Sequence, residues 1–174
     1  NPDAVLLGAD ARVLAREAAN NLSSLVAPVI RRPDGSLWTE GVDLYLDDGT
    51  MAGIRHRDRH EGRPRMMWVS GACFAVSRAL WMQLGGFDDD YFLYWEDVDL
   101  CRRVIETGGS VRVLTGAVAV HDEGGTHEDR KAGAVKSETY YYFNIRNRLI
   151  FARLRLEPET LRRWQRSALA VSWG

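Results

Sequence analysis

Reactive side chains are densest in Tyr94-Trp95-Glu96-Asp97-Val98-Asp99-Leu100, where three carboxylates follow the aromatic and acidic stretch Phe87 to Tyr94. Carboxylates in the first turn of a helix are kept ionised by the helix dipole, and an ionised carboxylate can act as a general base toward a hydroxyl. Phe92, Tyr94 and Trp95 would border them with flat, partly apolar surface, which suits sugar rings and limits water. The same turn also has a plain structural use, because acidic first turns cap helices and pair with arginines one turn on, here Arg102 and Arg103. A second cluster begins at His121, which ends the apolar run Val118-Ala119-Val120 and opens Asp122-Glu123-Gly124-Gly125-Thr126-His127. Imidazole and carboxylate at a strand end can ligate a divalent ion, or His121 can simply bond backbone in a surface loop. Asp3, in Asn1-Pro2-Asp3, is a third candidate ligand. Arg146 and Arg148 can offer forked hydrogen bonds to a diphosphate or merely solvate a helix.

These groups need elements to place them. Ala9 to Asn20 has helical spacing, and Ser24 to Ile30 is a short apolar run suited to a buried strand. Asp47 to Arg65, rich in Gly, Asp, His and Arg, reads as a solvated mobile loop. Met66 to Ser77 reads as one buried strand around Gly71-Ala72, where small residues let a ligand or another backbone come close. A helix over Arg78 to Leu84 ends at Gly85-Gly86. The next helix runs from about Trp95 to Thr107, with Val98, Cys101 and Ile105 on its inner face and Gly108-Gly109 as its stop. Val111 to Leu114 and Ala117 to Val120 read as two short strands around Thr115-Gly116, the second delivering His121. Lys136 to Leu156 is aromatic, basic and helical, and Pro158 opens a last helix, Glu159 to Trp173.

The chain has 174 residues, 45% of them hydrophobic, enough for one domain or most of a larger one. A net charge of -1 provides no field to recruit nucleic acid, so partners must be argued from local sites. Cys73 and Cys101 lack the spacing of a disulfide framework or zinc site and read as reduced core residues. No apolar run reaches the roughly 18 to 20 residues of a membrane span and no charged leader opens the chain, so a cytoplasmic location is expected. Arg153, Arg155, Arg162, Arg163 and Arg166 alternate with apolar residues in a stretch that can rest on an anionic membrane, at the inner face of the plasma membrane. The start at Asn1 without a methionine and the stop inside a helix read as a fragment.

Gly71-Ala72-Cys73-Phe74-Ala75-Val76, Leu84-Gly85-Gly86-Phe87-Asp88 and Tyr94 to Leu100 together resemble, in order and spacing, family 2 glycosyltransferases, above all bacterial rhamnosyltransferase-like members. Those carry a later histidine-x-x-glycine-x-serine motif, here His121-Asp122-Glu123-Gly124-Gly125-Thr126, with threonine for serine. Tyr140-Tyr141-Tyr142-Phe143-Asn144-Ile145-Arg146-Asn147 matches their aromatic stretch ending in arginine-asparagine, and Asp89 departs from their glutamate. The resemblance implies an α/β GT-A-type fold, of which this chain is the acceptor-side portion with mixed sheet strands and flanking helices. Residues 1–157 would form that portion and 158–174 a C-terminal amphipathic helix, with the nucleotide-binding half missing upstream.

Residue by residue, the resemblance makes Asp97 the base and has Glu96 orient the acceptor hydroxyl. Asp3 and His121 would hold Mg2+ or Mn2+, and Trp95, Tyr94, Asp88, Gly71, Arg146 and Asn147 would bind substrate. The implied reaction is inverting transfer of a sugar, rhamnose as the best guess, from a nucleoside-diphosphate sugar to a cell-surface glycan or a polyprenyl-diphosphate-linked acceptor. Alternatives are a related transferase using a uridine-diphosphate sugar and a non-catalytic carbohydrate-binding or scaffold protein. A metal hydrolase on His121 and His127 lacks a three-ligand motif.

Overall fold

In the structure, a computed structural model describing residues 3–122 and 137–173, the chain forms a mixed α/β fold. Its elements are β1 (Ala4–Leu6), α1 (Gly8–Asn20), β2 (Ser24–Arg31), β3 (Leu37–Thr39), β4 (Val42–Tyr45) and β5 (Met51–Gly53). After a 3-10 helix (Ile54–His60) come β6 (Arg65–Trp68), β7 (Ala75–Val76), α2 (Arg78–Leu84), α3 (Glu96–Glu106), β8 (Ser110–His121), α4 (Glu138–Arg155) and α5 (Pro158–Trp173).

The main sheet has the order β1-β8-β2-β3, with β7 also on β2, and β5-β4-β6 make a smaller antiparallel sheet. β2 and β8 run parallel, and β1 is antiparallel to β8. β2 is apolar without alternation because both its faces are covered. Leu25 and Ala27 enter the core shared with Val98, Leu100 and Val104 of α3, while Val26 packs with Leu14 and Ala18 of α1. The strand pair starts where Gly109 passes Ser23 so closely that a Cβ would lie 2.2 Å from the Ser23 carbonyl oxygen.

Helix boundaries follow their caps. Ser77 Oγ accepts from Leu80 N at 3.1 Å to start α2, and Gly85, at φ 76°, ends it. Ser137 caps α4 in the same way through Tyr140 N. α5 joins the main core through Trp164, which stacks on Phe151 at 6.0 Å and donates from Nε1 to Leu46 O.

Several expectations need correction. Residues 66–77 hold two strands, β6 and β7, separated by a turn that contains Gly71. Residues 111–120 belong to one strand, because β8 continues past Thr115-Gly116 while its register against β2 skips from Leu114 to Val118. Residues 47–65 carry β5 and the 3-10 helix, held by the Arg57–Asp43 and Arg63–Asp47 pairs, both at 2.6 Å. Val104, fully buried, takes the inner position on α3 expected for Ile105, which is 36% exposed. Cys101 is buried, Cys73 is half-buried, and both are free thiols.

Candidate active site

Trp95 and Tyr94 enter α3 with positive φ, 74° and 65°. Two successive non-glycine residues in that region cost about 1–3 kcal/mol each, so the turn must be held from outside. Asn147, fully buried on α4, holds it. Its Nδ2 donates to Leu93 O at 2.7 Å and to Tyr94 O at 2.8 Å. Arg146 adds NH1 bonds to Asp90 O at 2.8 Å and to Asn147 Oδ1 at 2.6 Å. Trp95 Nε1 donates to Asn144 Oδ1 at 3.3 Å.

The clamped turn sets the three carboxylates in different surroundings. Asp99 is fully buried and accepts from Arg103 Nε at 2.7 Å and Arg155 Nε at 2.8 Å, an ion-pair role. Among the described residues Asp97 has only backbone donors: Gly71 N to Oδ2 and Val98 N to Oδ1, both at 2.8 Å. Its deep seat strips water from the carboxylate, and neighbouring Glu96 adds like charge, so its carboxyl is pushed up to about 7 in spite of those donors. A base of that strength is divided between its two forms near neutral pH, which favours proton transfer. Glu96 is also raised by burial, and its Oε2 is buried without a hydrogen-bond partner. At Gly71 a Cβ would stand 3.5–3.6 Å from Asp97 Cβ and Oδ2, so the backbone here passes directly against the carboxylate.

The turn carrying Gly71 links Asp97 to the other cluster. Its next residue, Ala72, packs with Ile30 and Ala119, and Trp38 borders that group and lies 4.6 Å from the His121 ring, centroid to centroid. The β1–β8 register pairs Ala4 with His121 and so brings Asp3 alongside. Asp3 Oδ1 is 3.4 Å from His121 Nε2 and is buried without a hydrogen bond. Carboxylate oxygen and imidazole nitrogen, with that oxygen making no hydrogen bond to a described residue, fit two positions on a divalent cation whose remaining positions would go to phosphate or water. Among the described residues no three His, Cys, Asp or Glu cluster for a metal. Asn1, Pro2, and the Glu123 to His127 part of the histidine motif lie outside the described residues.

The expected substrate contacts divide. Tyr94 is 37% exposed and Phe92 79% exposed, and their rings lie 5.2 and 5.4 Å from those of Tyr140 and Phe143 on α4, so both present aromatic surface on the loop that leads into α3. Asp88 is half-buried, with Oδ1 bonded to Asp90 N, which shapes the loop. Trp95 is buried against Phe151 and Trp164 at 5.5 and 6.2 Å and supports the turn from within. Asn147 is fully buried, with its amide nitrogen on the loop carbonyls of Leu93 and Tyr94. Arg148 is buried under Trp164, bonded to Trp164 O and Asp48 O, and burial lowers it to about 10, so it cannot reach a diphosphate. Trp38 and Asn144 were not foreseen as neighbours of the site. A lone tryptophan in a three-residue strand gives no local signal, and Asn144 sat unremarked inside the matched aromatic stretch.

No family model matches the chain. Over 120 residues it is 34% identical to the N-acetylglucosaminyl-diphospho-decaprenol L-rhamnosyltransferases of two Mycobacterium tuberculosis strains, CDC 1551 / Oshkosh and ATCC 25618 / H37Rv. The match covers 60% of this chain and 39% of each relative, so the chain spans well under half their length. Over 54 residues it is 33% identical to the rhamnosyltransferase WbbL of Escherichia coli K12, covering 31% of this chain and 20% of that protein. Its curated homologues are therefore rhamnosyltransferases, and over the stretch it shares with them the chain is rhamnosyltransferase-like.

Proposed function

We propose that the chain is the acceptor-side portion of an inverting, GT-A-type glycosyltransferase that moves rhamnose from a nucleoside-diphosphate sugar to a hydroxyl of a polyprenyl-diphosphate-linked glycan. The observation that carries this reading is Asp97, a carboxylate without a cationic partner among the described residues, fixed by two backbone N–H groups, one of them from Gly71, and pushed up to about 7. Support for rhamnose and for the lipid-linked acceptor comes from the names of the mycobacterial relatives.

In this reading Asp97 takes the proton of the acceptor hydroxyl as its oxygen attacks the anomeric carbon from the face opposite the leaving group. Glu96 Oε2 accepts a hydrogen bond from the acceptor and orients it, and Tyr94 and Phe92 border the sugar. Asp3 and His121 would hold magnesium or manganese, whose Lewis acidity neutralises charge on the departing nucleoside diphosphate. One protein carboxylate is then enough, since a metal-neutralised diphosphate leaves without the acid that glycoside hydrolysis requires. Asn147 keeps the turn closed beneath the carboxylates. The work would take place at the cytoplasmic face of the membrane, and no described helix is long and apolar enough to cross it.

The test is transfer by the full-length protein, with manganese, from deoxythymidine-diphosphate-rhamnose and from uridine-diphosphate sugars to a prenyl-diphosphate N-acetylglucosamine acceptor, with product read by mass spectrometry. A rhamnosylated product with inverted anomeric configuration is expected. No product from any donor would overturn the transferase reading, and a product only from uridine-diphosphate sugars would overturn the donor.

A further inference from the structure

A shallow open groove of about 420 Å3 lies between α4 and α5 and reaches the loop at Asp90. Two arginines, Arg146 and Arg153, line it together with Leu149, Ile150, Leu161 and, from the loop, Asp90. Arg146 and Arg153 stand two helical turns apart on one face of α4. Arg153 is exposed and has no hydrogen bond or ion pair with a described residue, while Arg146 spends NH1 on the loop and keeps its other N–H groups. The three aliphatic side chains are partly buried against the core and form a fixed apolar wall between and beside the cations.

We propose that this groove binds the diphosphate and first isoprene unit of a prenyl-diphosphate ligand. The diphosphate lies against Arg146 and Arg153, and the hydrocarbon against Leu149, Ile150 and Leu161. Two guanidinium groups exceed the one carboxylate of Asp90, leaving net positive charge for an anion that accepts forked hydrogen bonds. A nucleotide would want an aromatic face for its base, and none lines the groove; a free sugar would not use the apolar wall. The groove also joins the candidate base: Asp90 lines it, Arg146 holds the Asp90 carbonyl, and Asn147, bonded to Arg146, holds Leu93 and Tyr94 just ahead of Glu96-Asp97. In the transferase reading, a sugar carried on the diphosphate would extend along residues 90–97 toward Asp97. That last step rests on the transferase reading, whereas binding of the prenyl diphosphate does not.

The experiment is calorimetric titration of the full-length protein with farnesyl diphosphate, farnesol and inorganic diphosphate, repeated with Arg153→Glu and with Arg162→Glu, an exposed arginine on α5 outside the groove. Farnesyl diphosphate should bind more tightly than either fragment, and Arg153→Glu should weaken it about tenfold or more, the loss expected for charge-assisted hydrogen bonds. Arg162→Glu should change it less than about twofold, as a surface charge does. Binding no tighter than that of inorganic diphosphate, or equal losses in both variants, would overturn the proposal in favour of general charge attraction, including attraction to an anionic lipid surface. Melting curves check the fold, and Arg153→Ala, expected to weaken binding in the same direction, replaces the glutamate variant where that one does not fold. Farnesyl diphosphate binding as described without sugar transfer from any donor would leave the groove standing and remove the transferase; transfer without selective binding would do the reverse.

Discussion

Asp97→Asn separates proton transfer from everything else this side chain does. The carboxamide keeps the shape and can still accept from one of the two backbone donors, Gly71 N or Val98 N, but it cannot accept a proton from a hydroxyl. With the carboxyl of Asp97 pushed up to about 7 by burial and by Glu96, its ionised fraction is about one tenth at pH 6, one half at pH 7 and nine tenths at pH 8. For the full-length enzyme kcat/KM should therefore climb close to tenfold per unit below pH 6, bend near 7 and level off above 8. The variant should be slower by about 10^2 to 10^4, the usual worth of a positioned base, and should lose the bend.

The same displacement alters stability in a direction that can be checked apart from turnover. Because the folded carboxyl is raised from its ordinary 3.8 to about 7, the folded state binds more protons than the unfolded state in between. Its contribution is full below about pH 4 and is lost as pH rises through 7. About three units at 1.36 kcal/mol each gives an upper figure near 4 kcal/mol, and partial exposure of the side chain reduces it to about 2–4 kcal/mol. Urea unfolding at pH 5 and pH 8 should show the part of this loss that falls between them, at most about 2.7 kcal/mol, in the wild type and not in Asp97→Asn. A variant keeping a tenth or more of wild-type turnover, or a wild-type rate profile flat from pH 5.5 to 8, would refute the base assignment; equal pH dependence of stability in both proteins would refute the account of its burial.

Asn147→Ala removes three hydrogen bonds, the two to the Leu93 and Tyr94 carbonyls and the one its Oδ1 accepts from Arg146, so urea unfolding should show a loss of about 2–4 kcal/mol. In the surviving folded enzyme kcat should fall more than KM rises. Asp3→Ala and His121→Ala should each abolish a manganese-induced rise in melting temperature while leaving the metal-free melting point within a few degrees of wild type; a retained manganese shift would remove these residues as ligands. Gly109→Ala would force a Cβ to within 2.2 Å of the Ser23 carbonyl oxygen, so it should cost about 2 kcal/mol or more in thermal unfolding. At Gly108, where φ is 78° and no atom lies within 4 Å of the added Cβ, alanine should cost about 1 kcal/mol.

What could be read from the sequence was what local chemistry decides. Ser77 and Gly85 mark the ends of α2, and α3 stops where Gly108 adopts φ 78°. The acidic start of α3 is legible in the residues themselves, whereas Asp3 and His121 are joined in the sequence only through the motif resemblance, and the β1–β8 register supplies the physical link between those two. The errors arose where distant partners decide. Thr115-Gly116 looks like a turn, yet parallel pairing with β2 on both sides carries the strand through it. Residues 47–65 lack periodicity because ion pairs to Asp43 and Asp47 order them, and periodicity carries no record of such pairs. Trp95 looks like a sugar platform beside its carboxylates, but a backbone at φ 74° takes the indole into the core.

Glu96, Asp97 and Asp99 share one helical turn, and first-turn geometry alone would assign all three to capping. Their partners divide them. Asp99 receives two arginines, whose guanidinium groups occupy its carboxylate oxygens as a buried ion-pair network. Asp97 receives two N–H dipoles and, among the described residues, no cation, which fix its direction without cancelling the cost of burial, so its carboxyl rises. Had Arg103 or Arg155 reached Asp97 in place of Asp99, the carboxyl would drop below the usual carboxylate range and the fraction of basic encounters leading to transfer would drop with it. The buried pair on Asp99 therefore serves the neighbouring residue as well: by binding both arginines at 2.7 and 2.8 Å it keeps them away from the one carboxylate that has to stay uncompensated.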